Sequence, residues 1–448
     1  MSIFKAYDVR GLVPEELDPE LARRIGRAIG RFLAAPTVVV GRDARSHSPA
    51  LAEALIEGLC ERGSDVVDVG LVATPMLYFA VEALAAGGGV MVTASHNPAR
   101  YNGFKICREH AIPVGGESGL REIERLAAAP AAPAAPGARR GRRLRRDVAA
   151  DYVGHVRALL SGEPPPLRVA IDCGNGMASV GLEPLLATLP LRVERLYFEP
   201  DGRFPNHEAD PLKPENLRDV SAAVQRTGAD FGVAFDGDAD RAVFVDDQAR
   251  PISSDLMTAV LARPRLRQAP GSRVLYDLRS SRATAEAIGE AGGVSEMCRV
   301  GHAFIKARMR ESGAIFAGEL SGHFYFRFAS GLVADDGIAA FTALLDVLAT
   351  ERRPLSELVA PLRRYAASGE INRRVEDVPA LLAEIERAHA GAPEISHLDG
   401  LLVRYPEWWF SLRPSNTEPV VRLNLEADTP ARMAAERDRL LAAIGGRA

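Results

Sequence analysis

The chain has 448 residues, 47% of them hydrophobic and 25% charged, too many for one apolar core, so two to four domains are expected. A formal net charge of -4 argues against a nucleic-acid binder, whose footprint is basic. No apolar run approaches bilayer-spanning length, and Met1-Ser2-Ile3-Phe4-Lys5 does not read as a signal peptide. The four cysteines (Cys60, Cys107, Cys173, Cys298) lack any Cys-x-x-Cys pair or metal-site spacing, which predicts a reduced, cytoplasmic setting and a protein with no membrane partner.

Taken in order, Ile3–Gly11 alternates like a strand and finishes at a glycine turn. Asp18 as N-cap and Pro19 at the first position open a helix that aligns Leu21, Ile25, Ile29 and Phe32. Thr37–Gly41 reads as a buried strand with Arg42-Asp43-Ala44-Arg45 as its polar exit. Ser48-Pro49 starts a helix that Gly63 ends. Strand Val66–Val69, a helix before Gly87-Gly88-Gly89, and strand Val90–Thr93 follow. Such alternation predicts a mostly parallel sheet covered on both faces. From Ala127 to Gly137 the composition shifts to alanine and proline. Six arginines then fall in eight residues (Arg139, Arg140, Arg142, Arg143, Arg145, Arg146), read as a solvated interdomain connector.

Strands Arg168–Asp172 and Phe231–Phe235 belong to a second unit, and Arg273–Asp277 and Ala314–Ala317 to a third. Thr37–Asp43, Arg168–Asp172 and Arg273–Asp277 share one plan of apolar strand, aspartate, turn and helix, which suggests three copies of one α/β design. From Arg364 the order changes to strand Glu370–Arg373, helix Val378–His389, strands Gly400–Arg404, Trp408–Leu412 and Val420–Leu425, and helix Pro430–Ile444. That order predicts a smaller α+β domain. The expected architecture is thus three similar α/β domains with mixed or parallel sheets (1–148, 149–250, 251–363) and a C-terminal α+β domain (364–448) around a central cleft.

Four loops carry chemistry. In Val90–Pro98 an uncharged strand ends in small, turn-forming residues, placing Ser95 at its exit with His96 beside it. Asp236, Asp238 and Asp240 alternate beyond a strand, so three carboxylates share one side of an extended backbone. A hard divalent cation, Mg²⁺ or Mn²⁺ in preference to zinc, is their natural compensation. Gly318-Glu319-Leu320-Ser321-Gly322-His323 places Glu319 and Ser321 where they can meet sugar hydroxyls. Arg413-Pro414-Ser415-Asn416-Thr417-Glu418-Pro419, with Arg422, offers guanidinium forks and neutral donors to a phosphate. Of 55 basic residues only Lys5, Lys105, Lys213 and Lys306 are lysine. A lysine retained in so arginine-rich a chain is a candidate for close ligand work or proton transfer.

These four loops, in this order, resemble the signature loops of the α-D-phosphohexomutase superfamily, and the chain is most similar to its phosphomannomutase/phosphoglucomutase branch. The agreement runs end to end and includes Tyr7-Asp8-Val9-Arg10-Gly11, Tyr101-Asn102-Gly103-Phe104-Lys105, Phe204-Pro205-Asn206-His207 and Gly301-His302. The resemblance implies an isomerase that interconverts hexose 1-phosphate and hexose 6-phosphate, of mannose or glucose. Ser95 is then a phosphoserine, and Mg²⁺ is held by Asp236, Asp238, Asp240 and the Ser95 phosphoryl group. A hexose 1,6-bisphosphate serves as intermediate and activator, and Arg241 stabilises the transferring charge. It further implies that Glu319 and Ser321 read the sugar and that Arg413, Ser415, Asn416 and Thr417 clamp the other phosphate. Tyr7, Arg10, His96, His302 and Lys105 become secondary cleft residues. Lys105 or His323 is the candidate general acid/base. The expected partners are sugar phosphates, and the expected state is a monomer.

Relatives often carry lysine where this chain has Arg279, which leaves mannose and glucose undivided. Phosphoglucosamine mutase is the nearest rival, but that branch usually has glutamine at the position of Leu320. A Mg²⁺-dependent phosphatase conflicts with a cleft enclosed by four domains, and a non-catalytic sensor has no need of an intact Ser95.

Overall fold

The computed structural model describes residues 3–130, 139–414 and 420–445. Three α/β units and a fourth, antiparallel unit each have their own sheet. In the first, six strands lie in the order Val9–Leu12, Tyr101–Arg108, Gly88–Val92, Thr37–Arg42, Asp65–Leu71, Arg143–Arg145. Thr37–Arg42 is parallel to both neighbours, whereas Tyr101–Arg108 runs antiparallel to Gly88–Val92. The second sheet (Ala242–Val245, Phe231–Phe235, Arg168–Asp172, Arg192–Leu196) and the third (Val294–Cys298, Arg273–Asp277, Phe316–Gly318, Phe324–Arg327, Val333–Asp335) repeat a parallel centre with antiparallel additions.

The internal repeat has a physical core. Asp43, Asp172 and Asp277, each at the carboxyl end of a strand with a parallel neighbour on both sides, are buried. Each accepts the backbone N–H two residues on: Arg45 at 3.0 Å, Gly174 at 2.8 Å and Arg279 at 2.7 Å. The same side-chain-closed turn therefore ends the same strand three times. One continuous apolar cluster runs from Val39, Met76 and Leu77 through Tyr152, Leu182 and Phe231 to Phe316, Phe341 and Leu345, welding the three units together. The fourth unit has a separate core around Phe410, Leu412, Leu423 and Leu440. It adjoins the third through polar contacts such as Arg282 with Asp428 and with Glu426.

Two expectations need correction. The N-terminal strand is Val9–Leu12, and Gly11 lies within it, opposite Asn102. The chain reverses between Lys5 and Asp8, where Lys5 N–H donates to the Asp8 carbonyl at 2.8 Å, Phe4 bridges back to Val9, and Arg10 N–H donates to the Ile3 carbonyl at 2.8 Å. The arginine run is not wholly a connector, because Arg143–Arg145 forms an edge strand parallel to Asp65–Leu71. Its charges are absorbed locally: Arg139 pairs with Asp65 at 2.6 Å, Arg143 with Asp68 at 2.7 Å, and Arg140 with Glu57. Opposite charges on neighbouring strands explain why so basic a segment joins a sheet. Among the described residues no helix is long and apolar enough to cross a membrane, and the four cysteines are buried and free.

Helices Pro19–Leu33 and Ser48–Glu61 cross at glycines. A Cβ on Gly58 would lie 2.1 Å from the Arg23 carbonyl oxygen, whereas one on Gly289 meets nothing within 4 Å. Gly58→Ala should therefore destabilise the protein by about 1–3 kcal/mol, and Gly289→Ala should be neutral or stabilising by about 0.5–1 kcal/mol. Denaturant unfolding of both variants measures the contrast, and equal midpoints would contradict the helix contact.

Candidate active site

The site assembles where strands end. Ser95 follows Gly88–Val92, Asp236 follows Phe231–Phe235 and Glu319 follows Phe316–Gly318. Crevices at the carboxyl ends of parallel strands are where α/β sheets bind ligands. Ser95 is 2% exposed and left-handed at φ 49°, a conformation uncommon outside glycine. Its hydroxyl donates to Asp236 Oδ2 at 2.7 Å and lies 3.1 Å from His96 Nδ1. The positive charge of Arg241, followed by burial, holds His96 well below the usual imidazole range. His96 is therefore neutral.

Asp236, Asp238 and Asp240 are all buried, and one ligand oxygen from each falls within 4.8 Å of the others. Lys105 is their main counter-charge, donating to Asp238 Oδ2 at 2.6 Å and Asp240 Oδ2 at 2.5 Å. Burial works against the ammonium, but the two aspartates outweigh it and raise its pKa. Asp236 is pushed well up, first by burial and then by the charges of Asp240 and Asp238. Oδ1 of Asp238 and Oδ1 of Asp240 are buried without a hydrogen-bond partner. Three buried carboxylates this close together fit a hard divalent cation. These three aspartates can hold one, and among the described residues Asp240, His323 and Asp335 form a second, overlapping group with similar spacing.

Across the seam between the second and third units, Arg241 and His323 pair through their backbones, and Ala242 N–H donates to the Gly322 carbonyl at 3.0 Å. His323 Nε2 lies 3.4 Å from Asp240 Oδ1, and its Nδ1 lies 3.3 Å from Glu319 Oε2 and 2.9 Å from Ser321 Oγ. Burial and Arg241 disfavour its charge, but Asp240 and Glu319 prevail and push it up to about 9. Glu319 accepts from Gly301 N–H at 3.0 Å and from the Tyr325 hydroxyl at 2.8 Å, with Arg279 at 3.4 Å. Burial alone would raise it, yet His323 and Arg279 hold it well below the carboxylate range.

The other cleft candidates gather around this centre. Tyr7 packs edge-on to His302 at 5.5 Å, and His302 stacks with His323 at 6.5 Å. Burial and the charge of Lys306 push His302 down to about 3. Arg10 NH1 donates to Asn97 Oδ1 at 2.9 Å and to the Ala94 carbonyl, so it braces the serine loop from its cleft side.

Arg413 and Arg422 face each other across an antiparallel pair. Such like charges repel unless a carboxylate intervenes. Arg422 donates to Glu370 Oε1 at 3.1 Å, and Arg413 Nε to Asp399 Oδ2 at 2.8 Å, while Arg413 NH1 is buried without a hydrogen bond. Glu370 also lies 3.6 Å from Arg279 NH1, across the third–fourth unit boundary. Ser415, Asn416 and Thr417 lie outside the described residues.

Sequence reasoning missed Thr74, whose hydroxyl donates to Asp238 Oδ2 at 2.6 Å and whose N–H donates to the Asp238 carbonyl at 2.9 Å. Nothing in the local pattern at Thr74-Pro75 beyond a helix start could have signalled it. Lys306 is completely buried, pairs with Asp335 at 2.8 Å and lies 4.5 Å from the Tyr78 ring centre. Lysine scarcity was its signal. Lys213, by contrast, pairs at the surface with Glu208.

Models of phosphoglucomutase/phosphomannomutase alpha/beta/alpha domains I, II and III match residues 1–132, 150–249 and 253–365, and the C-terminal domain of the same family matches 370–443. The chain belongs to the phosphoglucomutase/phosphomannomutase family. It is therefore an isomerase. It is 42% identical over 428 residues to a Xanthomonas campestris protein described as phosphohexose mutases, covering 94% of each chain. An Escherichia coli phosphomannomutase is 41% identical with 99% of each chain covered, and a Pseudomonas aeruginosa phosphomannomutase/phosphoglucomutase is 39% identical, with 96% of this chain and 92% of that protein covered. The crystal structure of a phosphoglucomutase/phosphomannomutase family protein from Burkholderia thailandensis superposes with a TM-score of 0.89 at 36% identity, covering 99% of this chain and 98% of that one. The likeness extends across all four units.

The His323 arrangement sets a pH dependence. Its folded pKa of about 9 lies above the free imidazole value of about 6.5. With divalent metal chelated, the stabilisation from His323 is complete below about pH 6.5 and is lost as pH rises through about 9. Glu319→Gln removes one of the two facing carboxylates and should lower the His323 midpoint. Titration of the histidine ring protons by NMR measures it, and an unmoved midpoint would refute the Glu319–His323 coupling.

Proposed function

We propose that the chain interconverts hexose 1-phosphate and hexose 6-phosphate, of mannose or glucose, with Ser95 as the phosphoryl carrier. The observation that carries this reading is the 2.7 Å contact between Ser95 Oγ and Asp236 within the three-aspartate cluster. A buried nucleophile beside an acidic metal cradle suits phosphoryl transfer and has no purpose in binding alone. Mg²⁺ is the proposed ion, and when bound it supplies positive charge to the phosphoryl oxygens.

The chain's own residues divide the remaining work. Phosphoserine 95 gives its phosphoryl group to a sugar hydroxyl: the Ser95 Oγ–P bond breaks, the sugar O–P bond forms, the hydroxyl proton passes to a cleft base, and the departing Ser95 Oγ gains a proton from a neighbouring group. The resulting hexose 1,6-bisphosphate reorients. Its other phosphate then returns to Ser95: the second sugar O–P bond breaks, the Ser95 Oγ–P bond re-forms, the Ser95 hydroxyl proton is taken up by a neighbouring group, and the second sugar oxygen gains a proton. Glu319 and Ser321 read ring hydroxyls, and Arg413, Arg422, Ser415, Asn416 and Thr417 hold the phosphate not being transferred. Tyr7, Arg10, His96 and His302 line the path, and Arg241 lies 4.0 Å from Asp236, where it can stabilise the charge in flight. Of the two acid/base candidates, His323 holds its proton between two carboxylates, whereas Lys105 can act as a base only after release from Asp238 and Asp240.

Incubation with mannose 1-phosphate, glucose 1-phosphate or glucosamine 1-phosphate, plus Mg²⁺ and a trace of hexose 1,6-bisphosphate, tests the reading. Conversion of the first two to 6-phosphates is expected. Release of inorganic phosphate instead would indicate a phosphatase and overturn it. Ser95→Ala should lower turnover by at least about 10³-fold and abolish the phosphorylated form seen by intact mass. Lys105→Arg preserves charge but not a readily shifted pKa. Near-normal turnover of that variant would eliminate the lysine as acid/base.

A further inference from the structure

The serine loop is folded around a guanidinium that never reaches the cleft. Arg45 is 1% exposed. Its NH2 donates to the carbonyl oxygens of Ser95 at 2.8 Å and Asn97 at 2.6 Å, and its NH1 to those of Pro98 at 2.8 Å and Tyr101 at 3.0 Å. Its Nε donates to Asp43 Oδ2 at 3.1 Å. A guanidinium has five N–H groups in a fixed fork, and here every one is used. Four of the five acceptors are main-chain carbonyls of one loop, Ser95 to Tyr101, all turned inward on the same point. Without a cation at that point the carbonyl dipoles would oppose one another, and buried acceptors would be left unpaired.

This arrangement accounts for the strained backbone at Ser95. The φ of 49° costs about 1–3 kcal/mol in a residue other than glycine unless its surroundings over-determine it, and the carbonyl bonds from Arg45 do so. With its carbonyl held toward Arg45, and its N–H donating to Thr93 Oγ1 at 3.0 Å, Ser95 has its side chain left to face Asp236. The second unit closes over the back of the arrangement. The Phe204 ring centre lies 5.0 Å from the guanidinium carbon, and a Cβ on Gly202 would fall 2.2 Å from Arg45 Cα. The third unit uses the same device: Arg279 holds Asp277 through Nε at 3.2 Å and NH2 at 2.8 Å and reaches toward Glu319, the residue assigned to the sugar.

We propose that Arg45 is a positioning residue for the mutase reaction, fixing the conformation in which Ser95 Oγ meets Asp236 while touching neither substrate nor metal. The inference rests on the reading of Ser95 as the phosphoryl carrier. Lysine cannot substitute, because an ammonium has three donors radiating from one atom and no planar fork.

Arg45→Lys in the full chain tests it, with Asp43→Asn and Ser95→Ala alongside. For Arg45→Lys, kcat should fall by about 100-fold, the scale of a small misplacement of a reacting group, while KM stays within about two-fold. The rate at which Ser95 accepts phosphate from glucose 1,6-bisphosphate, followed by intact mass, should fall in proportion. Asp43→Asn keeps the four carbonyl bonds and should give a smaller fall of the same kind. It carries the test alone if Arg45→Lys does not fold. Thermal unfolding gives the folded fraction, so that activity is counted per folded molecule. The inference is overturned if kcat per folded molecule stays within about three-fold of the unaltered protein, or if KM and kcat deteriorate together. An active Ser95→Ala would remove the phosphoserine reading itself, whereas an inactive Ser95→Ala beside a fully active Arg45→Lys would remove only the role of Arg45.

Discussion

Compensation of buried negative charge at the meeting point of the first three units is the constraint on which the rest of the structure depends. Asp236, Asp238 and Asp240 lie on one loop with almost no solvent access, and carboxylates so placed cannot all ionise without partners. The partners come from elsewhere: Lys105 and Thr74 from the first unit and His323 from the third. No single unit can satisfy the loop. The charge requirement thus explains why the three units share one continuous apolar cluster and are not beads on a string. Rigid packing keeps the counter-charges within hydrogen-bonding distance.

The fourth unit follows a different logic. Its core is closed on itself, and its approach to the third is polar. Glu370 is the pivot of that approach, within 4 Å of Arg279, Arg413 and Arg422. Arg279 is also held by Asp277 and Glu319, and Arg413 by Asp399, so the boundary is a network of ion pairs. A polar boundary permits relative domain motion more readily than an apolar one. The contrast matches the proposed division of labour: a stiff centre for bond-making and an adjustable arm for holding the far phosphate.

Two arginines at the same repeat position, Arg45 and Arg279, show how a duplicated turn serves different ends. In both units the strand-terminal aspartate closes an identical turn and grips the arginine two residues later. In the first, the guanidinium is spent on carbonyls that shape the serine loop. In the third, it remains beside Glu319 and Glu370 at the cleft margin. The second unit has Gly174 at that place, and His207 takes over the aspartate at 3.1 Å.

The sequence by itself determined most of the secondary structure and the identity of the four loops, because strand alternation, helix caps and loop chemistry are encoded over a few neighbouring residues. Helix Pro430–Ile444 and the Asp18 cap were legible in this way, as was the aspartate string, whose alternation is a property of the backbone. The edge strand at Arg143–Arg145 was not, since its stability comes from Asp65 and Asp68, more than seventy residues away. Only the tertiary structure decided which lysine neutralises which aspartate, that Thr74 braces Asp238, and that Arg45, which reads as a polar strand exit, is the hidden centre of the serine loop. Those assignments depend on charges and carbonyl dipoles converging from distant segments into a volume without water, and local pattern carries no record of that convergence.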